Sequence, residues 1–277
     1  MEFNGAISQL ANRNIFCGRT KAEALFDMPN NHCHNHYEIY YLISGERKYF
    51  AGNQIYNVHK GDIVLIQKGV LHRTTQIGNG YHKRLLISFN DEMLCAEFES
   101  DIERCFERCF YDVPDMLAGA AEALLFKIEN EFKTDDKFSE RLLKGYLLEF
   151  FMFLIRNDDK IFADSTRTKT DCTVQKTAEY ISGNCEKNIT LTETAKLMAV
   201  SHEHLSRKFK KVTGFGFNEY LTIMRVMRSE SLLLSTKLPI TEIALRCGFD
   251  DSNYFSTVFK KVKGVSPNKF RNSTAGI

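Results

Sequence analysis

The chain has 277 residues, 43% of them hydrophobic and 26% charged, which suits a globular protein with room for two cores. No run approaches the ~18 apolar residues needed to cross a bilayer, so no membrane-spanning role is expected. The net charge of +2 divides unevenly: residues 172–277 hold 16 Lys+Arg against 9 Asp+Glu, and residues 1–171 hold 21 against 26.

A basic half behind a mildly acidic one points to a polyanionic partner for the second half alone. The opening MEFNGAISQLANRN has neither a basic n-region nor an apolar h-region, so the cytoplasm is the expected compartment. Eight cysteines without a CxxC pair read as reduced, mostly buried thiols.

Through roughly residue 110 the chain predicts β structure, with β-branched and aromatic runs broken by Gly and Asn. EIYYLI, RKYFA, QIYNV, DIVLI and KRLLISF are the clearest strands, and SGE, GNQ, KGD and GNG the turns. Short antiparallel strands at this spacing predict a sandwich or barrel.

The first of these strands follows a histidine cluster, NHCHNHYEIYYLISGE at residues 31–46. Alternate strand positions share a face, so His32 and His34 can converge on one ion, with Glu38 and His72 from neighbouring strands. Three imidazoles and a carboxylate suit Fe, Mn, Ni or Zn. His36 shares the parity of His34, and Tyr41 is one of several aromatics, with Tyr37, Tyr49, Phe50 and Tyr56, that fit a core or a stacking wall for a sugar ring. The spacing His-x-His-x3-Glu-x6-Gly resembles the first motif of metal-binding cupin barrels. GDIVLIQKGVLH supplies Gly61, Gly69 and His72 at the second motif's spacing, with Gln67 where those enzymes have Pro.

Beyond the strands, PDMLAGAAEALLFKIENEFK has helical periodicity opened by Pro114. Residues 139–157 predict a second helix with a stripe of Leu143, Leu147, Phe150 and Leu154, widened by Leu142, Tyr146, Phe151 and Phe153. Such a helix is buried within its domain, shared with a second subunit, or both. Cys105 and Cys109, four residues apart, admit a redox-sensor reading beside the plainer one of buried thiols. Residues 158–171 are polar and read as a linker.

The last hundred residues contain a duplication. Thr192, Glu193 and Ala195 match Thr241, Glu242 and Ala244. One inserted residue later, Ser206, Phe209, Lys210, Lys211, Val212, Gly214 and Asn218 match Ser256, Phe259, Lys260, Lys261, Val262, Gly264 and Asn268. Each copy predicts helix, tight turn, helix. Thr192 and Ser201 are the expected N-caps of the first, and Asp250 or Asp251 that of the second reading helix. EYLTIMRVMRSESLLLS between the copies predicts one long helix.

RVMRSESLL at 225–233 and PITEIALRCGFDDSNYFSTVFKKVKGVSPNKFR at 239–271 resemble the AraC/XylS transcriptional regulators. The resemblance implies two helix-turn-helix units on one helix, bound to successive major-groove segments of double-stranded DNA. By position it places Glu203, Ser206 and Arg207, and then Asn253, Ser256 and Thr257, toward base edges, and Lys210, Lys211, Lys260 and Lys261 toward phosphates. Many relatives have Arg at the place of Thr257, which leaves the second unit a weaker reader.

The resulting expectation is an α+β chain. Residues 1–157 form a cupin-type β-barrel with helices for ligand sensing and dimerisation, and 172–277 form an all-α DNA-binding domain. The resemblance further implies a cytoplasmic homodimer that is not an enzyme. It would activate transcription with RNA polymerase when a small molecule, a sugar by family analogy, meets His32, His34, His36, Glu38, Tyr41 and His72. No cofactor is required, although a divalent metal on His32, His34, Glu38 and His72 is a candidate. The competing readings are a metal-dependent cupin enzyme or a metal or redox sensor fused to a DNA-binding part.

Overall fold

A computed structural model of the chain describes residues 13–22, 34, 36–51, 54–77, 81–134, 136–161 and 172–274. His32 and most of the expected linker lie outside them. Two compact units divide the chain, Met1–Thr170 and Asp171–Ile277.

Among the described residues the first unit holds eight strands: β1 Ile15–Ala22, β2 Tyr37–Ser44, β3 Arg47–Ala51, β4 Gln54–Val58, β5 Ile63–Ile66, β6 His72–Gln76, β7 His82–Phe89 and β8 Phe110–Tyr111. Pairing is antiparallel throughout and gives two sheets, of order β1-β7-β2-β5-β8 and β4-β3-β6. Among the described residues no strand pair links the sheets, so the expected barrel takes the form of a sandwich.

Among the described residues of this unit three α-helices follow: α1 Glu99–Arg108, α2 Asp115–Thr134 and α3 Ser139–Arg156. They cover one face of the larger sheet. Ile39, Tyr41, Ile63, Leu65, Leu85 and Ile87 pack there with Leu125, Leu143, Leu147, Phe150, Phe151 and Leu154. The stripe of α3 is therefore filled from within its own unit. Arg19 of β1 fastens α2 through a forked pair to buried Glu129, at 2.8 and 2.5 Å, and Lys133 adds a third bond at 2.8 Å. Burial alone would raise the Glu129 carboxyl, yet these cations hold it below the usual range.

The opposite face of that sheet meets the smaller sheet. Tyr40, Leu42, Val64, Ile66 and Leu86 pack on Tyr49, Ala51, Tyr56 and Val58. Strand β2 is buried on both faces because it is central in its sheet, with helices on one side and the second sheet on the other.

The second unit is all helix: α4 Cys172–Asn184, α5 Leu191–Leu197, α6 His202–Thr213, α7 Phe217–Ser235, α8 Ile240–Arg246, α9 Ser252–Lys263 and α10 Pro267–Thr274. Helix α7 packs against α4 and α6 on one side of the duplication and against α8, α9 and α10 on the other. The buried ends of its two cores are Tyr220 against Phe209, 5.3 Å between centroids, and Val226 and Leu233 with Phe255 and Phe259. Helix α4 is an addition to the expected set, seated by buried Val174, Ala178 and Ile181 at 4-3 spacing.

Candidate functional site

Two sites emerge, one in each unit. The first is the interior of the sandwich, which is polar for a space between sheets. Glu38, Tyr49, His72 and Thr74 are buried there. His34 precedes β2, and its Nε2 stands 3.2 Å from Glu38 Oε2, while His72 Nε2 stands 4.0 Å from the same oxygen. Tyr49 donates its hydroxyl to Glu38 Oε1 at 3.2 Å. Burial, and then the Glu38 charge, push the Tyr49 phenol well up, so it remains a donor.

The two imidazoles are oriented from behind. His34 Nδ1 lies 2.9 Å from His36 O, and His72 Nδ1 lies 2.9 Å from Val70 O. A carbonyl only accepts, so each Nδ1 carries a hydrogen and each ring turns its Nε2 toward Glu38. Backbone support behind one nitrogen with the other facing a carboxylate is the arrangement of metal-ligating histidines. The ligand atoms of His34, Glu38 and His72 all fall within 4.8 Å of one another. Atoms bound to one ion at about 2.0–2.2 Å lie roughly 3.0–3.5 Å apart, so the three need shift only slightly to share one. His36 stacks on His34, 3.6 Å between centroids with 6° between planes, as a wall rather than a member of the set.

Tyr41 requires correction. Its ring faces Phe126 at 6.3 Å and its hydroxyl donates to Glu122 Oε1 at 3.2 Å, so it belongs to the sheet–helix layer outside the sandwich. Strand parity sends Glu38, Tyr40 and Leu42 inward and Tyr37, Ile39 and Tyr41 outward. Tyr40 is the inward aromatic, 5.0 Å from Tyr49 in an edge contact.

Of the two readings of Cys105 and Cys109, the plainer one of buried thiols is what the structure shows. Cys105 lies on α1 in the sheet–helix core, whereas Cys109 follows that helix at φ 64° and points into the sandwich core. Burial raises both thiols, Cys109 to about 12. Both are protonated at neutral pH and inert as nucleophiles.

The second site is the outer surface of α6 and α9. Ser201 caps α6 by accepting from His204 N at 3.1 Å, and Asp251 caps α9 by accepting from Asn253 N at 2.7 Å. The first helix of the duplication is capped by Thr190, not Thr192, in a reciprocal box with Glu193. Its turn contains Ala199 at φ 55°, and the second turn contains Gly248 at φ 86°.

On α6, Leu205 and Phe209 are buried while Glu203, Arg207, Lys210 and Lys211 are exposed and Ser206 is half-buried. On α9, Phe255 and Phe259 are buried, Asn253, Thr257, Lys260 and Lys261 are exposed, and Ser256 is half-buried. The two candidate hydroxyls of α9 donate into their own helix, Ser256 to Ser252 O at 2.9 Å and Thr257 to Asn253 O at 3.0 Å. They keep acceptor capacity only, and α9 has no counterpart of Arg207. Exposed His202, His204 and Tyr254 share these surfaces and lie outside the residues that the resemblance points to.

An AraC-like ligand binding domain family matches residues 15–150, and a helix-turn-helix domain family matches residues 194–273. The chain is similar to the HTH-type transcriptional activator RhaR of Mannheimia succiniciproducens, 22% identical over 87% of this chain and 86% of that protein. It is likewise 22% identical to RhaR of Enterobacter sp. (strain 638), over 95% and 96% of the two chains. Among solved structures, the C-terminal domain of AraT, a response regulator from Geobacillus stearothermophilus, is 42% identical over 38% of this chain and 88% of that one, with a TM-score of 0.36.

Proposed function

We propose, from the premise that this chain belongs to the AraC family of helix-turn-helix transcription regulators, that it activates transcription when a carbohydrate occupies the sandwich of its first unit. The chain is a DNA-binding regulator with an effector-binding domain, not an enzyme. Activation is supported by relatives described as transcriptional activators along nearly their whole length.

The observation that carries the reading is the pair of capped, basic-faced helices α6 and α9, held in one unit by α7. Exposed polar residues near the helix starts suit base edges, and the lysines of the last turns suit phosphates. We infer that the protein works in the cytoplasm as a homodimer and contacts RNA polymerase. The flank of α3 carrying exposed Leu142 and half-buried Tyr146 and Phe153 is the part of that helix left for a second subunit. A footprint on the DNA flanking its own gene is expected to protect adjacent major-groove segments, with affinity at least ~10³-fold above random DNA at equal salt. Equal affinity for any sequence would reject sequence-specific regulation.

A second element rests on the convergence of His34, His72 and Glu38, which supports a divalent ion held by these three side chains. Such an ion would supply a Lewis-acidic contact for a hydroxyl of the effector. Elemental analysis of the purified chain is expected to find close to one equivalent of a transition metal, lost in His72→Ala. Wild-type protein that neither carries metal nor gains thermal stability from Mn²⁺, Ni²⁺ or Zn²⁺ would leave His34 and Glu38 as hydrogen-bond partners only.

A further inference from the structure

The opposite end of the sandwich interior is basic. Arg47 at the start of β3 is fully buried, and Arg84 and His82 at the start of β7 are 6% and 2% exposed. Arg84 and His82 share the parity of Leu86, which lies in the inner core, so they point between the sheets. Two backbone features bring the three together. An irregularity of β2 between Leu42 and Ser44 sets Leu42 opposite Arg84 and Ser44 opposite Lys83. The turn from β2 to β3 then presses on β7 so closely that a Cβ on Gly45 would lie 2.4 Å from Tyr81 O.

Arg84 and His82 are partnered incompletely. Arg47 Nη2 donates to Thr74 Oγ1 at 3.0 Å, and the Arg84 guanidinium sits 5.6 Å from the Tyr40 ring centroid. Among the described residues no carboxylate pairs with Arg84, and neither Arg84 Nε nor His82 Nε2 has a hydrogen-bond partner. The buried carboxylates are committed elsewhere. Glu38 faces His34 and Tyr49, Asp62 Oδ2 accepts from His59 N at 2.7 Å, and Glu129 holds Arg19 outside the sandwich. Burial, then the charges of Arg47 and Arg84, depress His82 to about 4, so its ring is neutral at pH 7 and can donate a hydrogen bond without adding charge.

A buried guanidinium without a counter-ion is unfavourable in a fold that could have placed a leucine there. Such groups persist where they serve binding rather than stability. The planar fork of arginine matches the oxygens of a carboxylate or phosphate, and buried polar atoms aimed into one space are what a ligand of that kind satisfies.

We propose that Arg84, Arg47 and His82 form an oxyanion pocket, and that the effector is an acidic carbohydrate, a sugar bearing a carboxylate or a phosphate. Its anionic group binds the arginines and its hydroxyls lie toward Tyr49, His72 and Glu38. This rests on the reading of the sandwich as the effector chamber, and it names the charge of the effector, which that reading leaves open.

The test is thermal unfolding of the full chain, wild type and Arg84→Met, alone and with millimolar glucuronate, galacturonate, glucose 6-phosphate, or neutral glucose and galactose. Without ligand, Arg84→Met is expected to unfold a few degrees above wild type, because an uncompensated charge has been replaced by an apolar chain of similar length. With ligand, an acidic sugar should raise the wild-type midpoint while its neutral parent does not, and the shift should vanish in Arg84→Met and persist in part in Arg84→Lys. The uronates and the sugar phosphate separate the two anion chemistries. A ligand-free Arg84→Met that unfolds below wild type would show that Arg84 has a structural partner and overturn the pocket. Stabilisation by a neutral sugar, unchanged in Arg84→Met, would overturn it as well but leave the carbohydrate sensor standing. No shift with any of the five sugars would count against both.

Discussion

Gly248→Ala is expected to cost roughly 3–4 kcal/mol of stability in the second unit and to remove specific DNA binding with it. Gly248 is the pivot of the turn between α8 and α9, at φ 86°, where a residue with a Cβ pays about 1–2 kcal/mol for the left-handed backbone. It is also where the second helix-turn-helix approaches the segment that follows α4. A Cβ there would stand 2.8 Å from Glu186 O, 2.9 Å from Cys185 O and 2.9 Å from Arg225 Nε. Neither carbonyl can retreat easily, because Arg225 of α7 is itself bonded to Cys185 O at 2.8 Å and to Lys187 O at 3.0 Å. Relief would therefore move α9 relative to α7, and the reading surface with it.

Gly264→Ala is the matched control. Gly264 ends α9 at φ 75°, and a Cβ there meets nothing within 4 Å, so only the backbone cost of about 1 kcal/mol remains. Urea unfolding followed by the helical signal, together with operator affinity for each variant, separates the two causes. Equal losses at Gly248 and Gly264 would show that the contact with the Cys185 and Glu186 carbonyls adds nothing to the conformational cost.

How far the sequence alone could reach follows from where the determining forces lie. The duplicated units are legible because their signals are local: caps, apolar spacing and turn residues act within a few positions of one another. The cap at Thr190 was displaced by two positions because Thr190 and Thr192 each precede an acidic or apolar helix start, and only Thr190 has Glu193 three residues on to complete the box. The sandwich is less legible. Strand β6, HRTTQ, has no apolar alternation and is held by its ladder to β3. In β2 both faces are apolar, so periodicity does not say whether Tyr40 or Tyr41 faces the second sheet; the helices on the outer face decide. Arg47, Arg84 and His82 could not be found at all, since a charged residue on a strand reads as solvent-facing until a second sheet covers it. The His34–Glu38 spacing was legible because it lies in one segment, whereas the carbonyls that aim the rings come from fold geometry.

Arg207→Ala should lower operator affinity by about 10–100-fold and relax preference at particular base pairs, the loss carried by one bidentate side chain at a base edge. Arg207 lies on the exposed face of α6 between capped start and lysine-bearing end, at the level where a reading helix meets bases. Lys260 is exposed in the last turn of α9, where the proposed reading puts its ammonium on the backbone strand. Lys260→Ala should weaken operator and random DNA alike and reduce the slope of log affinity against log salt by about 1. Thr257→Ala should do less than either, because the Thr257 hydroxyl already donates to Asn253 O and α9 presents no arginine in its place. Anisotropy titrations of operator and scrambled duplexes at several KCl concentrations read all three. If Arg207→Ala proves as blind to sequence as Lys260→Ala, Arg207 is a phosphate contact, and base reading must pass to Glu203 and Ser206 or to the exposed His202 and His204 beside the cap. If Thr257→Ala instead relaxes specificity, α9 reads bases through acceptor oxygens, and the two units share recognition more evenly than their side chains imply.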